Sequence, residues 1–551
     1  MPNPLNDKNQ AMIDEMREKE AEDLARVLAP KYNISYLDLS KMTIDLDGLK
    51  LIPEADSRSG KIVIFQKAGQ KLQIAVQSPN LPKAQDIIKD LESHGYKPTL
   101  YLVSENGLER AWKRYAEMDS YLEVPTGIVD VSAEKLKIFI SQAKTIEDLK
   151  KLFSASTITG KDRKISEVLE IILAGAISSD ASDVHIEPQE KEIRLRLRID
   201  GVLHDILFFD HKIYNLLLSR IKLVSGLKLN IHDQAQDGRF TIHIDETEVE
   251  VRTSIIPENY GESIVLRVLN PESISVSFED LGIEKNLMSM LEKEIKKPNG
   301  MILTTGPTGS GKTTTLYAFL KKIYTPEIKI ITLEDPVEYH LTGITQTQVE
   351  EEKGYTFSNG LRSILRQDPD IIMVGEIRDL ETAQISMNAA LTGHLVLSTL
   401  HTNNAAGTVP RLIDLGINPN SIAPALNVSM AQRLIRKLCN KCKEKYEASA
   451  EEKEIIKKNL GKSAPAEEKI FLWKSKGCDV CNGLGYKGRI GIFEAILIDD
   501  KIEKLILEKP GETEILKFAK DQGFSNMQED GIKKALNGIT SIEELKRVVE
   551  L

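Results

Sequence analysis

The sequence lacks any hydrophobic run long enough to cross a membrane. None of its apolar stretches approaches the ~18 consecutive residues that a membrane-spanning helix requires. The opening residues Met1–Lys8 also lack the apolar core of a secretory signal, so a cytoplasmic protein is expected. Any work at a membrane would then require a membrane-bound partner, with this chain peripheral to the bilayer and not inserted in it.

Cysteine is scarce as well. The chain has 4 cysteines, and all of them lie in Cys-x-x-Cys pairs. In a large protein without an export signal, this pattern argues against a disulfide framework and indicates metal or redox chemistry.

Positive charge is deficient relative to negative charge. Lysine and arginine number 73 against 83 aspartates and glutamates, which gives a formal net charge of −10. An acidic balance argues against a protein that coats nucleic acid or anionic lipid. No direct nucleic-acid partner is therefore expected.

At 551 residues the chain exceeds what one hydrophobic core usually serves, so about three or four domains are expected. From Gly300 onward, apolar β-type runs alternate with helical segments, which indicates a parallel sheet wrapped by helices. Composition and periodicity predict these segments: a small N-terminal α+β module at 1–118, a linker at 119–160, a second α+β domain at 161–270 with a hairpin turn at Asp200-Gly201, a hinge at 271–296, and an α/β domain at 297–551 that includes a cysteine-bearing segment at 437–495 and a helical tail at 500–551.

The most specific motif is a phosphate-binding loop. The run Gly306–Thr313 fits G-x-x-x-x-G-K-[ST], and it lies between an apolar strand-like run and a helix-compatible run. Its glycines let backbone N–H groups turn toward phosphates, Lys312 can reach the β and γ oxygens, and the Thr313 hydroxyl is placed for Mg²⁺. A Gly-rich turn that matches by chance is the alternative, which the flanking strand and helix oppose. The expected ATP-binding residues are Gly306, Pro307, Thr308, Gly309, Ser310, Gly311, Lys312, Thr313 and Thr314.

Two acidic side chains each follow a strand-like run. Glu334 ends the run that starts at Ile330, and Glu376 ends the run that starts at Asp370. A carboxylate at the carboxyl end of a buried parallel strand lies where doubly wound sheets bind their ligands. One such acid can hold the metal and another can orient or deprotonate the attacking water. Either could singly be a surface acid that caps a strand, but with the phosphate loop we expect a catalytic role for at least one.

A histidine stands at each end of the apolar run Leu395–Leu400. A lone histidine is more often a core or capping residue than a catalytic one. His401, at the carboxyl end, is the better candidate to sense a γ-phosphate, whereas His394 is expected to be structural or at a subunit contact.

Phosphoryl transfer also needs positive charge that arrives when the site closes. Most arginines are solvated surface residues, so each candidate is weak when taken singly. The candidates are Arg252 and Arg267 in the second domain and Arg362 and Arg366 in the last domain.

Together these motifs resemble the secretion ATPases of type II secretion and type IV pilus assembly. The resemblance is specific from about residue 160 to 500 and looser over 1–118, where it is to a module that docks on a membrane-protein partner. The matching runs are the phosphate loop, Thr332–Glu338, Val374–Asp379 and His394–Asn404, with Ser182–Pro188, Gln236–Arg239 and Pro257–Glu262 in the second domain.

The resemblance implies a homohexameric ring. Each chain would contribute a PAS-like second domain and a RecA-like P-loop ATPase domain, with ATP in the cleft between them. By motif, Glu334 resembles the water-activating acid, Glu376 the Mg²⁺-associated acid and His401 the γ-phosphate sensor. Arg252 and Arg267 resemble the arginines that the second domain brings to the phosphates. Arg362 and Arg366 would instead lie at a subunit contact or relay.

The resemblance also implies a client. The leading hypothesis is pilin assembly driven through an inner-membrane platform protein that the N-terminal module binds. A type II secretion or DNA-uptake pseudopilus machine would keep the same chemistry, and a RecA-like nucleic-acid translocase is a remote alternative. Some relatives bind cyclic di-GMP through an Arg-Leu-Gly motif near their start, and residues 1–40 do not contain it.

The cysteine pairs Cys439/Cys442 and Cys478/Cys481 are separated by 35 residues (443–477). Four thiolates in two knuckles give a closed, tetrahedral, structural Zn²⁺ site, and two redox pairs are the alternative. The intervening segment is expected to carry a helix over Ala450–Asn459. The run Cys481–Gly491 resembles the zinc-binding segment of assembly and export ATPases, which retraction ATPases generally lack.

Overall fold

The computed structural model describes residues 20–39, 42, 44–115, 127–142, 145–157, 165–244, 247–269, 276–466 and 469–551. The chain divides into two compact units, Met1–Pro125 and Thr126–Leu551. The predicted mixed α/β, multidomain architecture is confirmed. No helix among the described residues is long and apolar enough to span a membrane.

The first unit is built on a four-stranded sheet in the order β1-β4-β3-β2. Its apolar strand β2 is buried on both faces, because Ile62 and Ile64 pack in one core cluster and Val63 and Phe65 in another. In the sequence, the charged run Asp14–Glu22 and the apolar residues that follow it favour a helix. Residues 20–28 are helical, whereas Asp14–Lys19 lie outside the described residues. The elements are β1 Ser35–Tyr36, α1 Leu46–Leu49, α2 Glu54–Ser59, β2 Ile62–Ala68, β3 Lys71–Val76, α3 Pro82–Ser93, β4 Lys97–Leu102 and α4 Glu105–Trp112.

The second unit begins with a seven-stranded sheet in the order β5-β9-β10-β11-β6-β7-β8. In β7 the alternation of apolar residues with arginine buries one face and leaves the arginines on the other. Asp200 and Gly201 have φ of 48° and 83°, which suits the predicted two-residue hairpin between β7 and β8. The elements are β5 Ile128–Asp130, α5 Ala133–Gln142, α6 Ile146–Thr157, α7 Ile165–Ser178, β6 Ala181–Pro188, β7 Ile193–Ile199, β8 Val202–Phe209, α8 His211–Val224, β9 Gln236–Ile244, β10 Thr247–Glu258 and β11 Gly261–Leu269.

Part of the segment predicted as a linker at 119–160 belongs to this domain instead. Strand β5 pairs in parallel with β9, and Leu149 and Phe153 of α6 are buried in the same core. A three-residue strand is too short to show a period in the sequence. Among the described side chains of α6, the buried ones are Leu149 and Phe153, which is too few to mark a core helix in the sequence. Residues 116–126, 143–144 and 158–164 lie outside the described part of the chain.

The remainder of the second unit has a second seven-stranded sheet in the order β14-β13-β15-β16-β12-β17-β20. Strands β14 to β17 in that order run parallel, as predicted, and β20 is antiparallel to β17. The strands are β12 Gly300–Thr305, β13 Ile330–Glu334, β14 Thr345–Gln348, β15 Ile371–Val374, β16 Leu395–Leu400, β17 Leu426–Leu438 and β20 Tyr486–Leu497, with a separate pair formed by β18 Glu444–Glu447 and β19 Phe471–Lys474.

Helices cover this sheet and form the predicted tail. The helix predicted between the cysteine pairs is present as α15, which begins after the capping box of Ser449 and Glu452. The helices are α9 Lys285–Glu294, α10 Lys312–Ile323, α11 Phe357–Ile364, α12 Leu380–Leu391, α13 Thr408–Asp414, α14 Pro419–Ala425, α15 Ala450–Leu460, α16 Asp500–Leu507, α17 Glu512–Ala519, α18 Met527–Leu536 and α19 Ile542–Val548.

Most of the segment predicted as a hinge at 271–296 packs in the core of this last domain. Leu287 and Leu291 of α9 and Ile295 at its C-cap recur every four residues, and all are buried in a cluster with residues of α10. The surrounding Ser, Glu and Lys residues obscured this stripe in the sequence. Residues 270–275 lie outside the described residues.

The burial of α6 gives a direct test of where the second domain begins. Phe153 is fully buried, so Phe153→Ala should lower the free energy of unfolding by about 3–5 kcal/mol through lost contacts and a cavity. Chemical denaturation of the full chain, followed by circular dichroism, measures the change. Lys151→Ala, at a side chain that is 79% exposed, is the control and should stay near wild type. Wild-type stability in both variants would favour a linker.

Candidate nucleotide and metal sites

The phosphate loop between β12 and α10 lies tightly against β17. Gly306, Gly309 and Gly311 have φ of 149°, 78° and 88°. A Cβ atom on Gly306 would lie 2.6 Å from the carbonyl oxygen of Gln432, and one on Gly311 would lie 2.9 Å from its Nε2. Glycine is required here both by the backbone conformation and by this close approach.

Lys312 and Ser310 give the loop the character of an anion site. Lys312 Nζ donates to the carbonyl oxygens of Gly306 at 2.9 Å and Pro307 at 3.1 Å, and burial lowers the pKa of Lys312. Ser310 Oγ is buried without a hydrogen-bond partner among the described residues. The backbone amides of the loop, the Lys312 ammonium and the buried Ser310 hydroxyl are groups that can bind a phosphate. Thr313 and Thr314 follow in the first turn of α10.

Glu334 is buried at the carboxyl end of β13, with 2% of its surface exposed. Thr332 Oγ1 donates to its Oε1 at 2.5 Å, Gln346 Nε2 donates to the same oxygen at 3.2 Å, and the Tyr317 hydroxyl donates to its Oε2. Burial raises the pKa of Glu334, and these hydrogen bonds to the carboxylate oppose the rise. No sequence motif indicated Tyr317 or Gln346, because these side chains reach Glu334 from α10 and β14.

Glu376 and His401 meet beyond the ends of the adjacent parallel strands β15 and β16. His401 Nε2 lies 3.1 Å from Glu376 Oε2, and the Arg378 guanidinium pairs with the other oxygen. The hydroxyls of Thr305 and Thr402 are 2.6 Å apart and join the same edge to the end of β12. The structure therefore brings Lys312, Glu334, Glu376 and His401 to the edge of the sheet where they were expected.

Two other polar residues near these runs are structural. Asp379 caps α12, since its Oδ1 accepts from the backbone N–H of Thr382 at 2.8 Å. His394 lies at the amino end of β16, where its Nδ1 is 3.1 Å from the carbonyl oxygen of Ala389.

The two candidate arginines of the second domain, Arg252 on β10 and Arg267 on β11, lie directly opposite each other in the sheet. Arg267 lines a cavity of about 530 Å³ that also reaches Gly311 and Thr314 beside the phosphate loop, and its Nε donates to Asp183 at 3.1 Å. Arg252 instead donates to the carbonyl oxygen of Val337 and to Glu338, in the loop after Glu334. The two side chains therefore leave the same face of the sheet as cross-strand neighbours, but their guanidinium groups bind different partners.

Arg362 and Arg366 lie apart from this cluster. Arg362 pairs with Glu381 of α12, and Arg366 Nη1 donates to the carbonyl oxygen of Arg362 at 3.0 Å. Both side chains are at the surface.

Sequence reasoning missed Gln432 and Arg433 on β17. Thr315 Oγ1 donates to Gln432 Oε1 at 2.8 Å, and Arg433 Nη2 donates to the carbonyl oxygen of Asn403 at 2.9 Å. Strand β17 follows the phosphate loop by more than a hundred residues, and only its place beside β12 in the sheet brings these side chains to the loop.

The four cysteines converge on one point. Their Sγ atoms all lie within 4.8 Å of one another, with Cys439–Cys478, Cys442–Cys481 and Cys478–Cys481 separations of 3.8, 3.7 and 3.7 Å. A tetrahedral Zn²⁺ with Zn–S bonds of about 2.3 Å requires sulfur separations of about 3.8 Å. The four sulfur donors and their separations fit zinc. The separations are also longer than the ~2.05 Å S–S bond of a disulfide.

The chain matches two family models. The model described as type II/IV secretion system protein matches residues 159–547, and the MshEN domain model matches residues 32–121.

Curated relatives and a solved structure extend these matches. The type IV pilus assembly ATPase PilB of Myxococcus xanthus is 36% identical over 528 residues, which cover 96% of this chain and 91% of that protein. The type II secretion system ATPase E of Vibrio cholerae is 44% identical over 389 residues, 71% of this chain and 76% of that protein. The Legionella pneumophila ATPase DotB, at 22% identity, aligns with a TM-score of 0.50 over 69% of this chain and 94% of its own, which supports a shared fold.

The cysteine geometry predicts bound zinc. Full-length protein purified without chelator should carry about one zinc per chain by elemental mass spectrometry, and Cys442→Ser should lose most of it. Lys441→Ala changes an exposed side chain between two of the cysteines and should keep the metal. Protein without zinc whose cysteines form disulfides after fresh reduction would contradict the zinc assignment.

Proposed function

Because this chain belongs to the type II/IV secretion system protein family, we propose that it hydrolyses ATP to power assembly of a type IV pilus. The observation that carries the proposal is the convergence of Lys312, Glu334, Glu376 and His401 on one sheet edge beside the phosphate loop. The pilus client is supported by the extent of likeness, since the pilus assembly ATPase of Myxococcus xanthus matches 96% of this chain, including its N-terminal unit.

Each of these side chains has a proposed role in the reaction. The loop amides, the amino end of α10 and Lys312 bind the β- and γ-phosphates. Thr313 and Glu376 would hold Mg²⁺, which supplies charge that neutralises the phosphate oxygens. Glu334 orients the attacking water and accepts its proton, which requires exchange of one of its present hydrogen bonds to Thr332 or Tyr317. His401 senses the γ-phosphate next to Glu376.

The finer architecture follows the same family pattern. We propose that the last domain is RecA-like, that the second is PAS-like, and that the chains form a homohexamer. Arg267 would contact the phosphates from the cavity wall, and Arg252 would act after a rearrangement that frees it from Glu338. The four-cysteine segment would hold Zn²⁺ to stabilise its fold.

The N-terminal unit would dock on an inner-membrane platform protein and keep the chain peripheral on the cytoplasmic side. The match of residues 32–121 to a domain model of their own supports a separate role for this unit.

A type II secretion client is the second candidate. It is favoured by the higher identity, 44%, to the Vibrio cholerae type II secretion ATPase over the shared 389 residues. Deleting the gene in its native cell separates the two: loss of surface pili with normal protein secretion supports the pilus client. Loss of secretion with normal pili supports the alternative.

Two substitutions test the active site. Lys312→Ala should abolish ATP hydrolysis because the β- and γ-phosphates lose their cation. Glu376→Gln should leave ATP bound but uncleaved, because the amide can still hydrogen-bond but cannot serve as an anionic metal ligand. Phosphate release and fluorescent-nucleotide binding measure the two effects, and normal turnover by Glu376→Gln would contradict the assignment. Lys441→Ala should hydrolyse ATP at the wild-type rate.

The buried hydrogen bonds of Glu334 predict a pH dependence. Burial raises the pKa of Glu334, so the proposed base is lost to protonation, and hydrolysis falls, as the pH drops through that raised value. The Thr332 hydroxyl lowers the pKa of Glu334. Thr332→Val should therefore shift the acidic limb of the kcat–pH profile to higher pH.

Thr304, on β12 of the same sheet, provides a matched control. Thr304 Oγ1 is buried without a hydrogen-bond partner in the described chain, so Thr304→Val removes a similar hydroxyl that Glu334 does not use. Its profile should coincide with that of the wild type. An unshifted limb in Thr332→Val would exclude Glu334 as the titrating base.

A further inference from the structure

Arg433 of β17 hydrogen-bonds to the loop that carries His401 and lies against the start of the phosphate loop. Its Nη1 donates to the carbonyl oxygen of Gln432 at 3.1 Å, and its Nη2 donates to that of Asn403 at 2.9 Å. Asn403 is two residues beyond His401. A Cβ atom on Gly306 would lie only 3.2 Å from Arg433 Nη1, so the guanidinium also touches the start of the phosphate loop.

The position of Gln432 explains why its carbonyl group is available. The ladder between β12 and β17 ends at the pair Thr305 and Ala431, so Gln432 is the first residue beyond it. Its carbonyl oxygen faces Gly306 and accepts from Arg433. The arginine therefore binds where the pairing of β17 with β12 stops, although β17 is still paired with β20 at this point. Its side-chain hydrogen bonds belong to neither ladder.

The guanidinium is a poorly solvated cation beside Lys312. Burial lowers the pKa of Arg433, and the charge of Arg433 helps to lower the pKa of Lys312. The negative charge of Glu494, on β20, opposes this lowering of the pKa of Arg433. The Oε1 atom of Glu494 also accepts from the backbone N–H of Ala405 at 2.7 Å, further along the loop that carries His401. A planar fork that bonds two carbonyl oxygens at once is a geometry that arginine provides and lysine does not.

We propose that Arg433 is a positioning residue that holds the His401 loop in register with the phosphate loop during ATP hydrolysis. It sets the distance between His401 and the γ-phosphate that Lys312 binds, while nucleotide affinity comes from the phosphate loop itself. This inference rests on the proposed ATPase function.

Full-length Arg433→Lys, which keeps the charge and loses the fork, is the main test. Its kcat should fall about 10- to 100-fold, the effect of losing a charge-assisted hydrogen bond in the transition state, while the KM for ATP stays within about threefold. ADP affinity, the melting temperature and the oligomeric state should match the wild type. Lys437→Gln, which removes an exposed cation from the same strand, is the control and should keep wild-type kinetics.

A double-mutant cycle with His401→Gln distinguishes positioning from general stabilisation. If Arg433 acts through His401, adding Arg433→Lys to His401→Gln should reduce kcat by less than about threefold further. The positioning role of Arg433 is wrong if the double variant loses the full product of the two separate reductions in kcat, or if Arg433→Lys keeps the wild-type kcat. Neither result would contradict the proposed ATPase function. A wild-type chain that does not hydrolyse ATP would overturn the proposed function and this inference with it.

Discussion

The candidate site depends on one constraint: parallel strands in a single sheet end at the same edge. Strands β13, β15, β16 and β12 are neighbours in that order, and all run in one direction. A residue at the carboxyl end of any of these strands, or directly after it, therefore lies at the same edge of the sheet. This is why residues far apart along the chain come within hydrogen-bonding distance, as Glu376 and His401 do and as Thr305 and Thr402 do.

Burial at that edge then determines the chemistry of the side chains. Glu334 is buried and Lys312 is partly buried, and this loss of solvation raises the pKa of the acid and lowers that of the amine. Each retains polar partners that limit the cost, namely the hydroxyls of Thr332 and Tyr317 for the acid and loop carbonyl oxygens for the amine. A phosphate group that binds the loop would compete for Lys312, which ties ligand binding to a change in hydrogen bonding.

The walls of the adjacent cavity come from distant parts of the chain. Arg267 belongs to the second domain, Thr314 to the phosphate-loop helix, Asn482 to the cysteine-bearing segment and Ile490 to β20. Direct hydrogen bonds join these parts, because the backbone N–H of Gly488 donates to Asp200 at 2.9 Å and that of Ile146 donates to the carbonyl oxygen of Asn482 at 3.0 Å. The hairpin turn at Asp200 and the cysteine knuckle thereby help to shape the space beside the phosphate loop.

The sequence by itself determined the features that local spacing encodes. The phosphate loop, the hairpin turn at Asp200-Gly201, the helix between the cysteine pairs and the parallel sheet with its tail were all predicted, because turn chemistry and periodicity act over a few residues. Only the tertiary structure decided the rest: that β5 and α6 belong to the second domain, that Tyr317 and Gln346 hold Glu334, and that Arg433 of β17 binds the loop that carries His401. Those contacts join strands and helices that are adjacent in the sheet but far apart in the chain, and sequence spacing carries no record of that adjacency.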